Sequence, residues 1–269
     1  MNSGIQIMQR YKKTVVRLVS LLLAIAASCV VTRTTATAAP IEAPDAAQIV
    51  AASDRARGGG MNGVQWTIDI TGHDSGGPID RRTYVVRASG EDSLAEATFP
   101  PREAGSRLLQ NGRSMWFGKA TLTKPVSIST RQKMVGPASN GDIASTNYAK
   151  DYDASLLRTE AVNGETAYVL NLLAKNRFVT YDRIVYYVSV SRLVPLKAEF
   201  YTVSGKVFKT AVFEMNNRLN IDGKAQTFVS KMSIQDAIDQ SNYSLLQYTD
   251  VKTKQFAADT FNLDSLNRP

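Results

Sequence analysis

The chain has 269 residues, of which 43% are hydrophobic, and a formal net charge of +8 at neutral pH. Residues 1–38 contain five of the 32 Lys and Arg residues and none of the 24 Asp and Glu residues, so the remaining 231 residues carry a net charge of only +3. A charge this small excludes a general nucleic-acid-binding domain, which needs clustered basic residues, and the length suits one sandwich or barrel domain.

Residues 1–38 have the three regions of a bacterial secretory signal peptide. Four Lys or Arg residues between positions 10 and 17 form the basic start, and the apolar stretch 18–31 follows. This stretch is about fourteen residues long, short of the roughly 20 that span a bilayer as a permanent helix. Small residues before Ala39 offer a cleavage site. The sequence therefore predicts export to the periplasm and a single mature domain, 39–269.

Cys29 supports a second possibility for the mature N-terminus. Ala-Ala-Ser-Cys at 26–29 resembles a lipobox, in which the cysteine would be acylated and tether the protein to a membrane. Cys29 is also the only cysteine in the sequence. A mature chain that begins at Ala39 would therefore have no thiol for a disulfide, a cluster or a nucleophile.

The predicted elements begin with a helix over 43–57, which the glycines at 58–60 end. Alternation of apolar and polar residues then predicts strands, and turns such as Asn111-Gly112 and Asn163-Gly164 predict tight antiparallel hairpins. The predicted strands lie near 64–71, 82–88, 94–99, 106–110, 113–118, 156–161, 166–174, 182–190, 195–203, 206–215, 225–232 and 243–251. Because no helical crossover separates them, we expect a mainly β (α+β) domain with one large antiparallel sheet that curls or closes.

Two regions interrupt the strand pattern. Residues 124–153 predict a long loop with a short helix, and long internal loops are often functional. Within this loop, Asp142 and Tyr148 are the candidate residues for contact with a partner. Residues 234–241 predict a short helix or a polar connection.

Several strands are apolar on both faces, most clearly 166–174 and 182–190. A helix packed on one face and core side chains on the other would account for this pattern. Alternatively, the interior face lines a cavity for a hydrophobic ligand. The pattern alone leaves both explanations open.

Enzymatic chemistry has little support in the sequence. Asp-Ser-Gly-Gly-Pro at 74–78 resembles the nucleophile loop of trypsin-like proteases, but that chemistry needs a histidine that can reach the serine and a buried carboxylate that orients it. His73 is the only histidine and precedes Ser75 in a predicted turn. The chain also has no phosphate-binding glycine motif and few strong metal ligands. We therefore predict a non-enzymatic binding protein without a cofactor or a metal.

Three segments carry a resemblance to a known family: Met115-Trp116-Phe117, the stretch 136–142 and Asp151-Tyr152. Together with the exported start and the helix before a long antiparallel run, they resemble the outer-membrane lipoprotein-sorting family. This is the branch of the LolA-like carriers associated with RND-type lipid exporters. The resemblance spans roughly residues 44–266. It implies an unclosed β-barrel with helices that plug its mouth.

The resemblance implies a periplasmic carrier that binds a lipid or lipoprotein acyl chains in an apolar cavity and transfers it between envelope components. An RND-type or other envelope transporter would be its partner, and membrane contact would be peripheral. A chain of sixteen carbons costs on the order of 12 kcal/mol to expose to water, which is why such a carrier needs an apolar cavity. The alternative is an envelope sensor of lipid or mislocalised lipoprotein that regulates a membrane partner. Strand parity gives the inward-facing candidates for lipid contact, which are Trp66, Ile68, Trp116, Leu170, Tyr186, Phe200 and Phe213.

Overall fold

The computed structural model describes residues 45–144, 147–221 and 223–267. The predicted signal peptide, Cys29 and the cleavage site before Ala39 lie outside these residues. Within the described part of the chain, no helix is long and apolar enough to cross a membrane. The helices there are α1 (Ala46–Arg55), α2 (Asn140–Ala144), α3 (Tyr148–Asp151) and a terminal 3-10 helix, η1 (Leu263–Asn267).

Strands make up most of the described chain. Their bounds are β1 Val64–Asp74, β2 Gly77–Ser89, β3 Asp92–Phe99, β4 Arg107–Asn111, β5 Ser114–Gly118, β6 Val126–Ile128, β7 Lys133–Val135, β8 Ala138–Ser139, β9 Tyr152–Val162, β10 Glu165–Ala174, β11 Arg183–Ser189, β12 Pro195–Tyr201, β13 Val207–Glu214, β14 Asn217–Ile221, β15 Lys224–Phe228, β16 Lys231–Asp236 and β17 Tyr243–Thr253.

Thirteen of these strands form one antiparallel sheet in the order β6-β5-β4-β3-β2-β1-β17-β16-β13-β12-β11-β10-β9. The two ends of this order, β6 and β9, do not pair with each other, so the barrel is unclosed. Two small ribbons, β14-β15 and β7-β8, lie outside the sheet. The predicted fold class is therefore confirmed.

Six turns gather at one end of the sheet because neighbouring antiparallel strands reverse direction. They join β1 to β2, β3 to β4, β5 to β6, β10 to β11, β12 to β13 and β16 to β17. We call these turns and the strand residues at their bases the rim. It comprises residues 74–79, 99–106, 119–126, 175–182, 202–206 and 237–242.

Helix α1 lies on the concave face of the sheet. Its N-terminus is capped by Asp45, whose carboxylate accepts a 2.9 Å hydrogen bond from the backbone N–H of Ala47. The helix buries Ile49 and Val50, and the Ser53 hydroxyl is 2.9 Å from the Tyr186 hydroxyl of β11. The predicted helix is confirmed, but it is shorter at both ends than the predicted range 43–57.

The convex face carries two further apolar clusters. On one side, Phe261 and Leu266 from the C-terminal segment pack against Leu94 and Leu109. Strands β10 to β12 form the second cluster from neighbouring side chains, which are Ala167, Val169, Val185 and Tyr187 with the flanking Val162, Leu196 and Tyr201. The doubly apolar strands are thus explained by packing on both faces.

The sequence predictions for the two interrupting regions are each confirmed in part. The region 124–153 contains the predicted short helix, as α2, but it is not one loop, because it also contains β6, the β7-β8 ribbon and α3. Residues 234–241 form the end of β16 and the turn to β17, so the predicted polar connection is confirmed and the alternative, a short helix, is wrong. The missed strands β6, β7 and β8 have only two or three residues each, too few for alternation to give a signal.

Candidate functional site

The interior of the barrel contains six of the seven residues predicted to face inward. All six belong to the main core, and none is more than 6% exposed. They are Trp66, Ile68, Leu170, Tyr186, Phe200 and Phe213. Their contact with a lipid stays a prediction.

Trp116 is the exception, because it lies on the convex face. It packs with the cluster of Leu94, Leu109 and Phe261, and the register of β4 and β5 sets it opposite Leu109. Its neighbour Phe117 packs against the main core instead. Three consecutive apolar residues at 115–117 give no alternation, so parity could not be assigned from the sequence.

Two charged residues at the end of α1 lie inside the barrel. Asp54 is 1% exposed and Arg57 is 4% exposed. The Oδ2 atom of Asp54 accepts a 2.8 Å hydrogen bond from the backbone N–H of Ala149, and the guanidinium of Arg57 lies 4.3 Å from the ring centroid of Tyr148. Asp54 Oδ1, Arg57 Nη1 and the indole Nε1 of Trp66 have no hydrogen-bond partner in the described part of the chain. The interior therefore offers two donors and one acceptor to a polar group of a ligand.

Burial changes the ionisation of this pair and its neighbours. It raises the pKa of Asp54 to about 7, although the charge of Arg57 and the N–H of Ala149 act in the opposite direction. Burial likewise raises the pKa of Tyr148 and of Tyr186, which keeps both phenols neutral. Asp54 is thus the carboxyl group of the interior that can change charge near neutral pH.

Residues 129–144, which we call the plug segment, cross from the rim into the interior. At the rim, the Thr130 hydroxyl donates a 2.9 Å hydrogen bond to the backbone carbonyl of Phe178. Arg131 forms a two-point ion pair with Asp182 at 2.8 and 3.0 Å. These contacts fasten the segment to the turn between β10 and β11.

Deeper in the barrel, the plug segment is held by buried polar groups. The Tyr181 hydroxyl donates to the carboxylate of Asp142 at 2.7 and 2.8 Å, and the backbone N–H of Ser139 donates to the same carboxylate at 2.8 Å. Lys209 Nζ donates a 2.8 Å hydrogen bond to the Ser139 hydroxyl. Lys209 is 2% exposed, and burial lowers its pKa although Asp142 raises it. A cation, an anion and two hydroxyls thus stabilise the plug segment from inside.

The predicted partner residues, Asp142 and Tyr148, are both buried at 3% and 4% exposure. Neither is accessible to a partner in this structure, so the prediction of partner contact is corrected to an internal role. Asp142 holds the plug segment, and Tyr148 packs edge-on against Tyr152 and Tyr186 at 5.4 and 5.5 Å. The polar sequence around Asp142 suggested a solvated loop because its partners are distant in the chain.

Two clefts open at the rim, one on each side of the plug segment. The first has a volume of about 420 Å³ and lies toward β2–β6. Its apolar walls belong to the main core or pack against it. The apolar residues are Leu108, Phe117, Ile128 and Met134, and the basic residues are Arg82, Lys119 and Lys133.

The second cleft has a volume of about 510 Å³ and lies toward β11–β13. Tyr181, Phe208 and Lys209 line it, with Val203 at its entrance. Phe208 packs against the main core. Each cleft therefore leads from the rim toward the apolar interior, and the plug segment separates them.

Gly141→Ala is expected to dislodge the plug segment. A Cβ atom at Gly141 would lie 1.9 Å from Oγ1 of Thr180 and 3.0 Å from its Cβ. Such overpacking lowers the free energy of unfolding by about 1–3 kcal/mol, which urea denaturation measures. The double variant Gly141→Ala/Thr180→Gly should recover most of the loss. Gly76→Ala is the control, since its Cβ would meet only the Asp74 carboxylate at 3.2 Å. Equal losses for Gly141→Ala and Gly76→Ala would contradict the expectation.

The protease-like segment has the geometry of a turn. Ser75 is exposed between β1 and β2, and the ring of His73 stacks on Tyr243 at 4.5 Å between centroids. This confirms the predicted turn. Among the described residues, no group of three or more His, Cys, Asp or Glu side chains could hold a metal ion.

Comparisons with known proteins place the chain in a family. A family model described only as an uncharacterized protein matches residues 89–268. A search of curated proteins finds no match. A solved LolA superfamily protein from Nitrosomonas europaea is 32% identical, with a TM-score of 0.74, over 83% of this chain and 100% of its own.

Two further solved structures share the fold at lower identity. One is a putative outer membrane lipoprotein-sorting protein domain from Vibrio parahaemolyticus, 18% identical, with a TM-score of 0.69 over 83% of this chain and 98% of its own. The other is a DUF1329 family protein from Desulfovibrio piger, 19% identical, with a TM-score of 0.67 over 82% and 97%. The resemblance predicted from the sequence is confirmed: the chain belongs to the LolA superfamily.

Proposed function

We propose that the protein binds a lipid or lipoprotein acyl chains inside the unclosed barrel and carries them between components of the bacterial envelope. The observation that carries this proposal is the pair of clefts that lead past the plug segment into an apolar interior. Membership in the LolA superfamily supports the same function. The carrier would act in the periplasm and exchange its cargo with an RND-type transporter.

The contacts of the plug segment suit a carrier that must also release its cargo. Hydrogen bonds at Thr130, Ser139 and Asp142 hold the segment. In net terms each contributes about 0.5–1.5 kcal/mol, or about 1.5–3 kcal/mol where one partner is charged. Burial of an acyl chain supplies about 0.8 kcal/mol for each CH₂ group. A long acyl chain could therefore displace the plug segment and take its place, and loss of the chain would let the segment return.

A reversible disulfide between the plug segment and β1 tests this proposal. A Cβ atom at Gly72 would lie 3.0 Å from Cγ1 of Val135, which puts the two Cβ atoms within the roughly 4.5 Å that a disulfide tolerates. In Gly72→Cys/Val135→Cys, we expect the oxidised protein to bind a fluorescent fatty acid at least tenfold more weakly than the reduced protein. Each single-cysteine variant serves as a control for the substitution itself.

The outcomes separate two claims. Wild-type protein that neither co-purifies with lipid nor binds the fluorescent fatty acid would show that the proposed function is wrong. Equal binding by the oxidised and reduced double variants would show that lipid enters without movement of the plug segment. Native mass spectrometry of the wild type from the periplasm would identify the cargo.

A further inference from the structure

The rim concentrates the exposed apolar side chains of the protein. Eleven large hydrophobic residues are exposed in the described chain, and six of them lie on the rim, one at each turn. At the opposite end of the sheet, only Leu193 among the described residues is comparably exposed. The six rim residues, which we call the apolar tips, are Ile79, Phe99, Val126, Phe178, Val203 and Ile238.

Two of these side chains are almost fully in solvent: Val203 is 85% exposed and Ile238 is 92% exposed. Such positions contribute little to the core, since their apolar surface is not buried on folding. Single exposed apolar residues are ordinary on protein surfaces. An exposed apolar residue on every turn at one end of the sheet indicates a surface that contacts an apolar partner outside the chain.

The same turns carry an excess of positive charge. The rim contains six Lys or Arg residues and four Asp or Glu residues, and two of the acids, Glu103 and Asp182, already pair with Arg82 and Arg131. The basic residues are Arg102, Lys119, Lys124, Lys175, Arg177 and Lys206. The rim therefore presents cations beside its apolar tips.

Three of these cations are adjacent to rim apolar residues and form no ion pair within the described residues. Lys124 precedes Val126 by two positions, and Arg177 lies 5.2 Å from the ring centroid of Phe178. Lys206 is exposed in the same turn as Val203. Apolar tips flanked by free cations match the interface of a bilayer that contains anionic lipid.

We propose that the rim docks on the surface of a membrane that contains anionic phospholipid, with its apolar tips at the interface and its Lys and Arg side chains on headgroup phosphates. A protein partner would be expected to contact a contiguous apolar patch, whereas these residues are spread singly over six separate turns. Both clefts open at the rim, so docking would set their entrances against the bilayer. The inference does not depend on the proposed function, because the rim could dock on a membrane without any uptake of acyl chains.

Flotation with vesicles tests this inference. The purified protein would carry Cys29→Ser, so that no acyl anchor contributes. We expect it to float with vesicles of equal parts phosphatidylcholine and phosphatidylglycerol, to bind pure phosphatidylcholine at least tenfold more weakly, and to lose binding as salt increases. The triple variant Phe178→Ser/Val203→Ser/Ile238→Ser should bind the anionic vesicles at least tenfold more weakly.

A control variant removes three exposed apolar side chains elsewhere. Leu157, Leu193 and Val212 are 37–47% exposed and lie away from the rim, on β9, in the turn between β11 and β12, and on β13, so their triple substitution by Ser should leave flotation unchanged. Lys124→Ala/Arg177→Ala/Lys206→Ala should weaken binding by about fivefold for each charge removed. Circular dichroism checks that every variant is folded.

Any one of three results would overturn the inference. The first is a wild-type protein that does not float with anionic vesicles. The second is a rim variant that floats as well as the wild type, and the third is a control variant that loses as much binding as the rim variant. If rim substitutions abolish binding to an isolated envelope transporter and leave flotation intact, the rim is a protein interface and the membrane proposal is wrong.

Discussion

Asp142→Ala is expected to lower the free energy of unfolding by about 3–5 kcal/mol, because it leaves a buried cation without its counter-charge. Asp142 accepts hydrogen bonds from the Tyr181 hydroxyl and the Ser139 backbone N–H, and Lys209 donates a hydrogen bond to the hydroxyl of the same serine. All of these groups are buried. Removal of the carboxylate would leave two donors, the Tyr181 hydroxyl and the Ser139 N–H, without their acceptor, which urea denaturation at neutral pH would measure as a lower midpoint.

A double-mutant cycle separates the charge from the packing. Asp142→Ala/Lys209→Met should be more stable than Asp142→Ala alone, since the buried cation has been removed along with its partner. Asp153→Ala is the matched control, because Asp153 is an exposed carboxylate on β9. Asp142 does not compensate the buried charge of Lys209 if Asp142→Ala lowers the free energy of unfolding no more than Asp153→Ala does, or if the double variant is less stable than both single variants.

The sheet could be predicted from the sequence because its strands give strong local signals. In β1, Val64, Trp66, Ile68 and Ile70 are buried and alternate with half-buried polar residues, so period-two alternation identified both the strand and its inward face. Asn163 and Gly164 adopt positive φ angles of 52° and 82°, as their predicted hairpin turn requires. The local sequence pattern was sufficient to predict a strand wherever one of its faces was buried and the other was in contact with solvent.

The plug segment could not be predicted, because its stability comes from distant residues. The partners of Ser139 and Asp142 are Lys209 and Tyr181, which lie 70 and 39 positions away. Polar side chains without visible partners are typical of a solvated loop, which is what the sequence predicted for 124–153. Only the folded sheet brings the β10–β11 turn and β13 next to the segment and makes burial of these groups possible.

The charges inside the barrel were missed for a related reason. The helical pattern over 43–57 indicated one apolar face, formed by small and aliphatic residues such as Ile49. Helix α1 lies within the barrel and contacts both β9 and α3, so its last turn is enclosed on most sides. Asp54 and Arg57 are consequently buried although they lie off the apolar face.

The wild-type protein is expected to lose stability between about pH 4 and pH 7, and Asp54→Asn should remove most of that loss. Burial raises the pKa of Asp54 from 3.8 to about 7, so the folded state holds this proton more tightly than the unfolded state. The resulting stabilisation is complete below the unfolded pKa and is lost as pH rises through the folded pKa. This difference between the folded and unfolded pKa of Asp54 corresponds to at most about 4 kcal/mol in the free energy of unfolding.

Urea denaturation at intervals from pH 4.5 to pH 8 measures the effect, with Asp153→Asn as the exposed control. Burial also raises the pKa of Asp151, so a smaller loss of the same sign should persist in Asp54→Asn. Carboxylates whose pKa is lowered, such as Glu165 beside Arg192, titrate mostly below this range and should not mask the effect. If Asp54→Asn retains the full pH dependence of the wild type, the ionisation of Asp54 is not its source.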